Sequence, residues 1–138
     1  MVSAITQTAH RAMSEARQEA ERLNHSELGT EHLMMGIINA GGDAIKLLTK
    51  MGVEPDAVYT AIEKRFPAKA RKAGSKRPGQ SALMRKVIDH AREAAAAQDS
   101  DSVGTEHLLM AILDEKEGGA VRVLKALGAD LSGMTEAS

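Results

Sequence analysis

Two four-residue blocks are where this chain could do chemistry. Gly29-Thr30-Glu31-His32 and Gly104-Thr105-Glu106-His107 each set a hydroxyl, a carboxylate and an imidazole side by side. If each Thr caps a helix, each Glu falls in its first turn, where the helix dipole favours negative charge. That effect stabilises a helix by only ~0.3–1 kcal/mol, and many residues could supply it. A functional alternative makes Glu31 and Glu106 docking points for a guanidinium or ammonium group, with two-point geometry favouring arginine derivatives. On residue physics alone the structural reading is the stronger. His32 and His107 are expected to tie the helix start to the preceding loop, with Thr30 and Thr105 supporting them. Metal binding would need further converging ligands, and no ligand cluster accompanies these two histidines.

Little else in the chain is suited to catalysis. The five histidines (His10, His25, His32, His90 and His107) have no cysteine partner, no HExxH pattern and no glycine-flanked serine nucleophile. Gly41-Gly42 and Gly118-Gly119 lack the lysine of a phosphate-binding loop and read as turns between helices. The expectation is a binding protein without catalytic residues, metal or cofactor.

The elements that must position these groups come in two copies. The apolar run after each block also repeats: Leu33 to Ile38 corresponds to Leu108 to Leu113, at an offset of 75 residues. The same offset aligns Met13, Ala16, Arg17 and Ala20 with Ile88, Ala91, Arg92 and Ala95. After one inserted residue, Gly42, Ala44, Leu48 and Gly52 match Gly118, Ala120, Leu124 and Gly128. Each copy reads as helices. The first carries Ile5, Ala9, Ala12, Met13, Ala16, Ala20 and Leu23 at three- and four-residue spacing, capped by Thr6 or Thr8. Its counterpart carries Leu83, Val87, Ile88, Ala91 and Ala95, capped by Ser81. A second helix starts at Thr30 or Thr105 and a third at Asp43 as cap, ending at Gly52. A fourth runs from Pro55 to about Arg65, and its match from Asp130 onward is short. No alternating apolar–polar run suggests a strand. The fold class is all-α: two tandem, pseudo-two-fold-related four-helix repeats in one domain spanning 1–138. Repeat one covers about 4–66, a basic linker 67–80, and repeat two about 81–136.

Composition narrows the setting. Tyr59 and Phe66 are the only aromatic residues, so the core is aliphatic, with eight methionines mostly filling gaps. Net charge is −1, which gives no global attraction to nucleic acid or anionic membrane. Residues 67–80 concentrate Lys69, Arg71, Lys72, Lys76 and Arg77 without an acid. They read as a solvated linker, since no aromatic platform or recognition motif argues for nucleic acid. The absence of cysteine suits a reducing cytosol. Without a signal peptide or an apolar stretch near the ~20 residues that span a bilayer, the expected location is the cytoplasm, off the membrane.

At the doubled GTEH blocks, the paired glycine turns, and Leu47, Leu48 and Gly52 against Val123, Leu124 and Gly128, the chain resembles the N-terminal (Clp R, double Clp-N) domain of Clp ATPases. The resemblance is nearest to the ClpC type and covers about residues 4–132. It implies an eight-helix bundle at the front of a ring-shaped unfoldase that receives substrates and adaptors for ATP-driven unfolding and proteolysis. It also implies contacts to arginine-phosphorylated substrates, one pocket per repeat. Glu31 and Glu106 would hold the guanidinium, and Thr6 and Ser81 would help bind the phosphate, for which helix N-termini are suited. ClpC-type domains carry aromatic residues near the repeat starts, where this chain has Val2 and Ile5. Because the chain has no Walker motif, two expectations stand. It is either the substrate- and adaptor-binding module of a Clp ATPase ring, or a free-standing regulatory protein that sequesters substrates, adaptors or small molecules.

Overall fold

The first helix, α1 (Gln7–Arg22), starts where a hydroxyl can cap it: Thr6 Oγ1 accepts the Ala9 N–H at 3.1 Å. Its buried face is almost all alanine: Ala9, Ala12, Ala16 and Ala20. Small side chains let a second helix come close, and α2 (Thr30–Ala40) does so through Gly36, which lies directly over the Ala12 carbonyl and the Ala16 backbone. α1 ends with Asn24 in the left-handed region (φ 58°), and the His25 N–H reaches back to the Ala20 carbonyl at 3.0 Å.

This computed structural model describes residues 4–69, 79–80, 82–115 and 118–129. Its further helices are α3 (Asp43–Lys50), α4 (Pro55–Arg65), α5 (Ala82–Ala97), α6 (Thr105–Asp114) and α7 (Gly119–Ala126). The second copy repeats the first in detail. α5 ends with Asp99 at φ 53° and a Ser100 N–H to Ala95 carbonyl bond of 2.9 Å, as α1 does with Asn24 and His25. Gly52 and Gly128 follow α3 and α7 at φ 83° and 79°, so each stop uses a conformation that favours glycine. α2 and α6 are buried along most of their length and form the centre of the bundle. Met34, Met35 and Met51 are in the core, as gap-fillers should be.

The all-α reading stands, with differences in detail. Four two-residue strands were not foreseen: β1 (Ala4–Ile5), β2 (Glu27–Leu28), β3 (Gly79–Gln80) and β4 (Ser102–Val103). β1 pairs in parallel with β4, and β2 with β3, so each tie joins the segment before one repeat's first helix to the segment before the other repeat's central helix. Two residues are too short for alternation to register in sequence. Ile5 therefore belongs to β1 and not to the first helix. The cap of α3 is Gly42, with Asp43 the first helical residue, because the turn needs positive φ at both Gly41 and Gly42 (79° and 89°). The linker is anchored at both ends. The Lys69 N–H bonds the Leu23 carbonyl at 2.8 Å, Asn24 Nδ2 donates to the Lys69 carbonyl at 2.9 Å, and β3 closes the other side. The expected Ser81 cap and the segment from Asp130 lie outside the described residues.

α4 is fastened to α1 by charge. Arg22 Nη2 bonds Glu19 Oε2 at 3.1 Å and Glu63 Oε2 at 3.0 Å, and the Tyr59 hydroxyl donates to buried Glu19.

Gly36 gives the packing a test with an informative sign. Helix propensity alone would make Gly36→Ala stabilising by about 1 kcal/mol. The new Cβ would instead meet main-chain atoms of α1, with the Ala16 nitrogen only 2.8 Å away. Urea unfolding should therefore show a net loss of about 1–3 kcal/mol, as for an overpacked core. A gain would mean that α1 and α2 are not in this contact.

Candidate functional site

The starts of α2 and α6 share one design. The Gly29 N–H donates to His32 Nδ1 at 3.0 Å, and the Gly104 N–H donates to His107 Nδ1 at 2.9 Å. Imidazole here does the work that Glu or Gln does in a capping box. A ring nitrogen that accepts has no proton, so each neutral ring carries its hydrogen on Nε2. His32 Nε2 must then donate to His25 Nδ1 (2.7 Å), and His25 Nε2 to the Pro67 carbonyl (3.0 Å). In repeat two His107 Nε2 donates to Gln98 Oε1 at 2.9 Å. The two histidines tie helix start to loop, as their position implied. The proximity of His32 Nδ1 to Glu31 Oε1 (3.5 Å) and of His107 Nδ1 to Glu106 Oε1 (3.3 Å) is consequently not an ion pair.

Thr30 and Thr105 do not cap. Gly29 and Gly104 occupy the N-cap positions without a side-chain bond, and the two threonines are buried in the contact between repeats. Thr30 Oγ1 accepts the Ala120 N–H at 3.4 Å, and Thr105 Oγ1 would lie 3.0 Å from a Cβ placed on Gly42. Each central helix thus begins against the first turn of the other repeat's third helix.

The two glutamates remain partly open. The Glu31 side chain is 17% exposed and the Glu106 side chain 26%. Each carboxylate folds back over the glycine two residues before it. Burial pushes the Glu31 carboxyl above its ordinary range, and its own backbone N–H and His25 oppose this. Burial also raises Glu106, helped by a hydrogen bond with the Asp43 carboxyl of the other repeat.

The hydroxyl residue of each repeat's first helix does not face its own glutamate. The Thr6 N–H bonds the Val103 carbonyl at 3.0 Å, immediately before Gly104, so Thr6 stands by the Glu106 helix start. Pairing of Gly79–Gln80 with Glu27–Leu28 brings the chain leading to Ser81 towards the Glu31 helix start. Sites of this kind are built across both repeats, in contrast to the expected pocket within each. Thr6 Oγ1 already accepts from Ala9 but keeps its own hydrogen to donate.

Beside Glu31 is a cleft of about 380 Å³ whose lining includes Glu27, His25, Arg65, Phe66 and Lys69. Of these, only Lys69 was noticed in sequence, as part of the basic linker. Phe66 was noticed only as a rare aromatic; its rarity and its place just after α4 were the available signal. Gly119 was missed as a site residue: a Cβ there would meet Glu31 Oε2 and the Phe66 Cζ at 2.7 Å. Among the described residues no three His, Cys, Asp or Glu side chains are grouped to hold a metal ion, and no helix is long and apolar enough to cross a membrane.

A duplicated helical bundle with two buried central helices, each starting on an acidic first turn, is the class that this fold and site define. The chain belongs to the Clp repeat (R) N-terminal domain family, whose model matches residues 4–127. It is 34% identical over 129 residues to the ATP-dependent Clp protease ATP-binding subunit ClpC of Staphylococcus epidermidis, covering 93% of this chain and 16% of that protein. It is 33% identical over 137 residues to the chaperone protein ClpB of Oceanobacillus iheyensis, covering 96% of this chain and 16% of that one. The chain therefore spans about a sixth of the length of these relatives. The crystal structure of the N-terminal domain of the caseinolytic protease associated chaperone ClpD from Arabidopsis thaliana is similar, with a TM-score of 0.76 at 27% identity, covering 96% of this chain and 90% of that one.

His32 makes stability depend on pH. Its side chain is 2% exposed, and burial, with His25 adding to it, lowers its pKa to about 4. The folded state keeps the ring neutral while an unfolded histidine takes a proton near 6.5, so this contribution is complete above about pH 6.5 and is lost as pH falls towards 4. Between pH 7 and 5 the wild type should lose about 2 kcal/mol more than His32→Gln in urea unfolding. Parallel losses in both proteins would contradict the neutral, accepting imidazole. The raised Glu31 carboxyl acts in the opposite direction, which is why the difference between the two proteins is the quantity to read.

Proposed function

We propose that this domain is a docking module of the Clp unfoldase and protease system. It binds substrate proteins or adaptors in the cytoplasm, works with a Clp ATPase ring, and does no chemistry of its own. Membership of the family and likeness to the N-terminal regions of ClpC and ClpB support this reading. The observation that carries it furthest is the Glu31 carboxylate, which is partly open beside a cleft lined by an aromatic ring and by cations.

The ligand chemistry that fits is an arginine-phosphorylated side chain. Its guanidinium part pairs with a carboxylate in planar two-point geometry, and Phe66 offers a ring face for the same group. Its phosphoryl part needs donors and positive charge, which Arg65, Lys69 and the N–H groups of a helix start supply. Glu31 and Glu106 cannot take the phosphoryl group, because anion would face anion. They hold the guanidinium, with Ser81 and Thr6 as the crosswise hydroxyl donors and with Thr30, His32, Thr105 and His107 keeping the two helix starts in place.

Isothermal titration calorimetry with free phosphoarginine tests this. The wild type should bind, and the double variant Glu31→Ala, Glu106→Ala should lose at least tenfold in affinity, as when a charged partner is removed from a guanidinium. Equal affinity in the two proteins would eliminate the roles given to these residues.

A further inference from the structure

The contact between repeats pairs the residue after each interhelical glycine with the glutamate of the other repeat. Gly42 lies against Thr105 and Gly118 against Thr30, with 3.0 Å and 2.8 Å from the threonine Oγ1 to a Cβ placed on the glycine. One residue further along, Gly119 meets Glu31, and Asp43 meets Glu106. The sequence repeat therefore breaks at a single functional position, with glycine in one copy and aspartate in the other.

The consequences are opposite. At Gly119 the missing side chain leaves room that any Cβ would take from the Glu31 carboxylate and the Phe66 ring. At Asp43 a second carboxyl fills the corresponding space and hydrogen-bonds Glu106. Asp43 is 69% exposed, with Lys46 Nζ at 3.8 Å on its own helix; His107 stands at 3.3 Å from Glu106 with an accepting nitrogen. At neutral pH this pair presents extra negative charge. A phosphorylated guanidinium is a net anion, so its phosphoryl group is repelled by a carboxylate in the position where the first pocket has a bare glycine.

We infer that the two pockets are not equivalent: the Glu31 pocket accepts one phosphorylated guanidinium, and Asp43 closes the Glu106 pocket to that ligand. This rests on the reading of the domain as a phosphoarginine-binding module and adds its stoichiometry and the residues that set it. Gly119 is permissive at the first pocket, and Asp43 is exclusive at the second.

The experiment is calorimetry with phosphoarginine on the complete chain, with circular dichroism to establish that each variant is folded. The wild type should bind one molecule. Glu31→Gln should weaken binding at least tenfold, and Glu106→Gln should leave it within twofold. Asp43→Gly, which copies the first pocket and alters an exposed side chain, should raise the stoichiometry to two. Gly119→Asp should weaken binding at least tenfold. Two sites of similar affinity in the wild type, loss of binding in Glu106→Gln with retention in Glu31→Gln, or a stoichiometry of one in folded Asp43→Gly would each overturn the inference while leaving the proposed function standing. No binding of phosphoarginine to the wild type would overturn the proposed function and this inference together.

Discussion

The geometry of this domain depends on close approach between the first turns of helices from different repeats. A helix start exposes N–H groups that need partners and a positive end of the dipole that attracts acids. Here α2 and α6 each begin against a glycine-led turn of the opposite repeat, with a buried threonine in the contact. Side chains larger than glycine at positions 42 and 118 would force the repeats apart. The parallel ties of β1 with β4 and of β2 with β3 repeat the same crosswise logic in the backbone. Duplication alone produces two helical hairpins; the exchanged contacts place atoms from both around each glutamate.

The histidines act at the same level. By accepting the Gly29 and Gly104 N–H groups, His32 and His107 fix the helix starts and leave the carboxylates of Glu31 and Glu106 free of them. The copies then diverge. Repeat one continues through His25 to the Pro67 carbonyl, which couples the start of α2 to the segment carrying Phe66 and Lys69. Repeat two ends on the Gln98 amide, which cannot titrate near neutral pH. Only the first copy joins its helix start, through a chain of imidazoles, to the wall of a cleft.

Much of this was readable before the fold was known, and the exceptions share a cause. Helical periodicity, the left-handed glycines at 52 and 128, Pro55 at the start of α4 and the histidine ties are consequences of local rules, and the residues carry them openly. The capping role given to Thr30 and Thr105 failed because the local preference of threonine lost to a contact between repeats that no window of sequence contains. Asp43 yielded the cap to Gly42 because two successive positive φ angles demand glycine. The strands were too short to show a period. In the site, Glu31 and Glu106 were visible as repeated acids, whereas Gly119, Arg65 and Phe66 acquire meaning only when α4 and α7 are brought beside α2. The difference between Asp43 and Gly119 was present in the alignment of the copies, but its significance required knowing that each faces the other repeat's glutamate.

The most direct measurement is a crystal structure of the chain grown with phosphoarginine. The guanidinium should lie on the Glu31 carboxylate beside Phe66, over Gly119, with the phosphoryl group turned towards Arg65 and Lys69 and the Asp43–Glu106 contact undisturbed. Ligand seated between Asp43 and Glu106, or bound with the Glu31 carboxylate still folded over Gly29 and untouched, would contradict the crosswise, unequal pockets described for this domain.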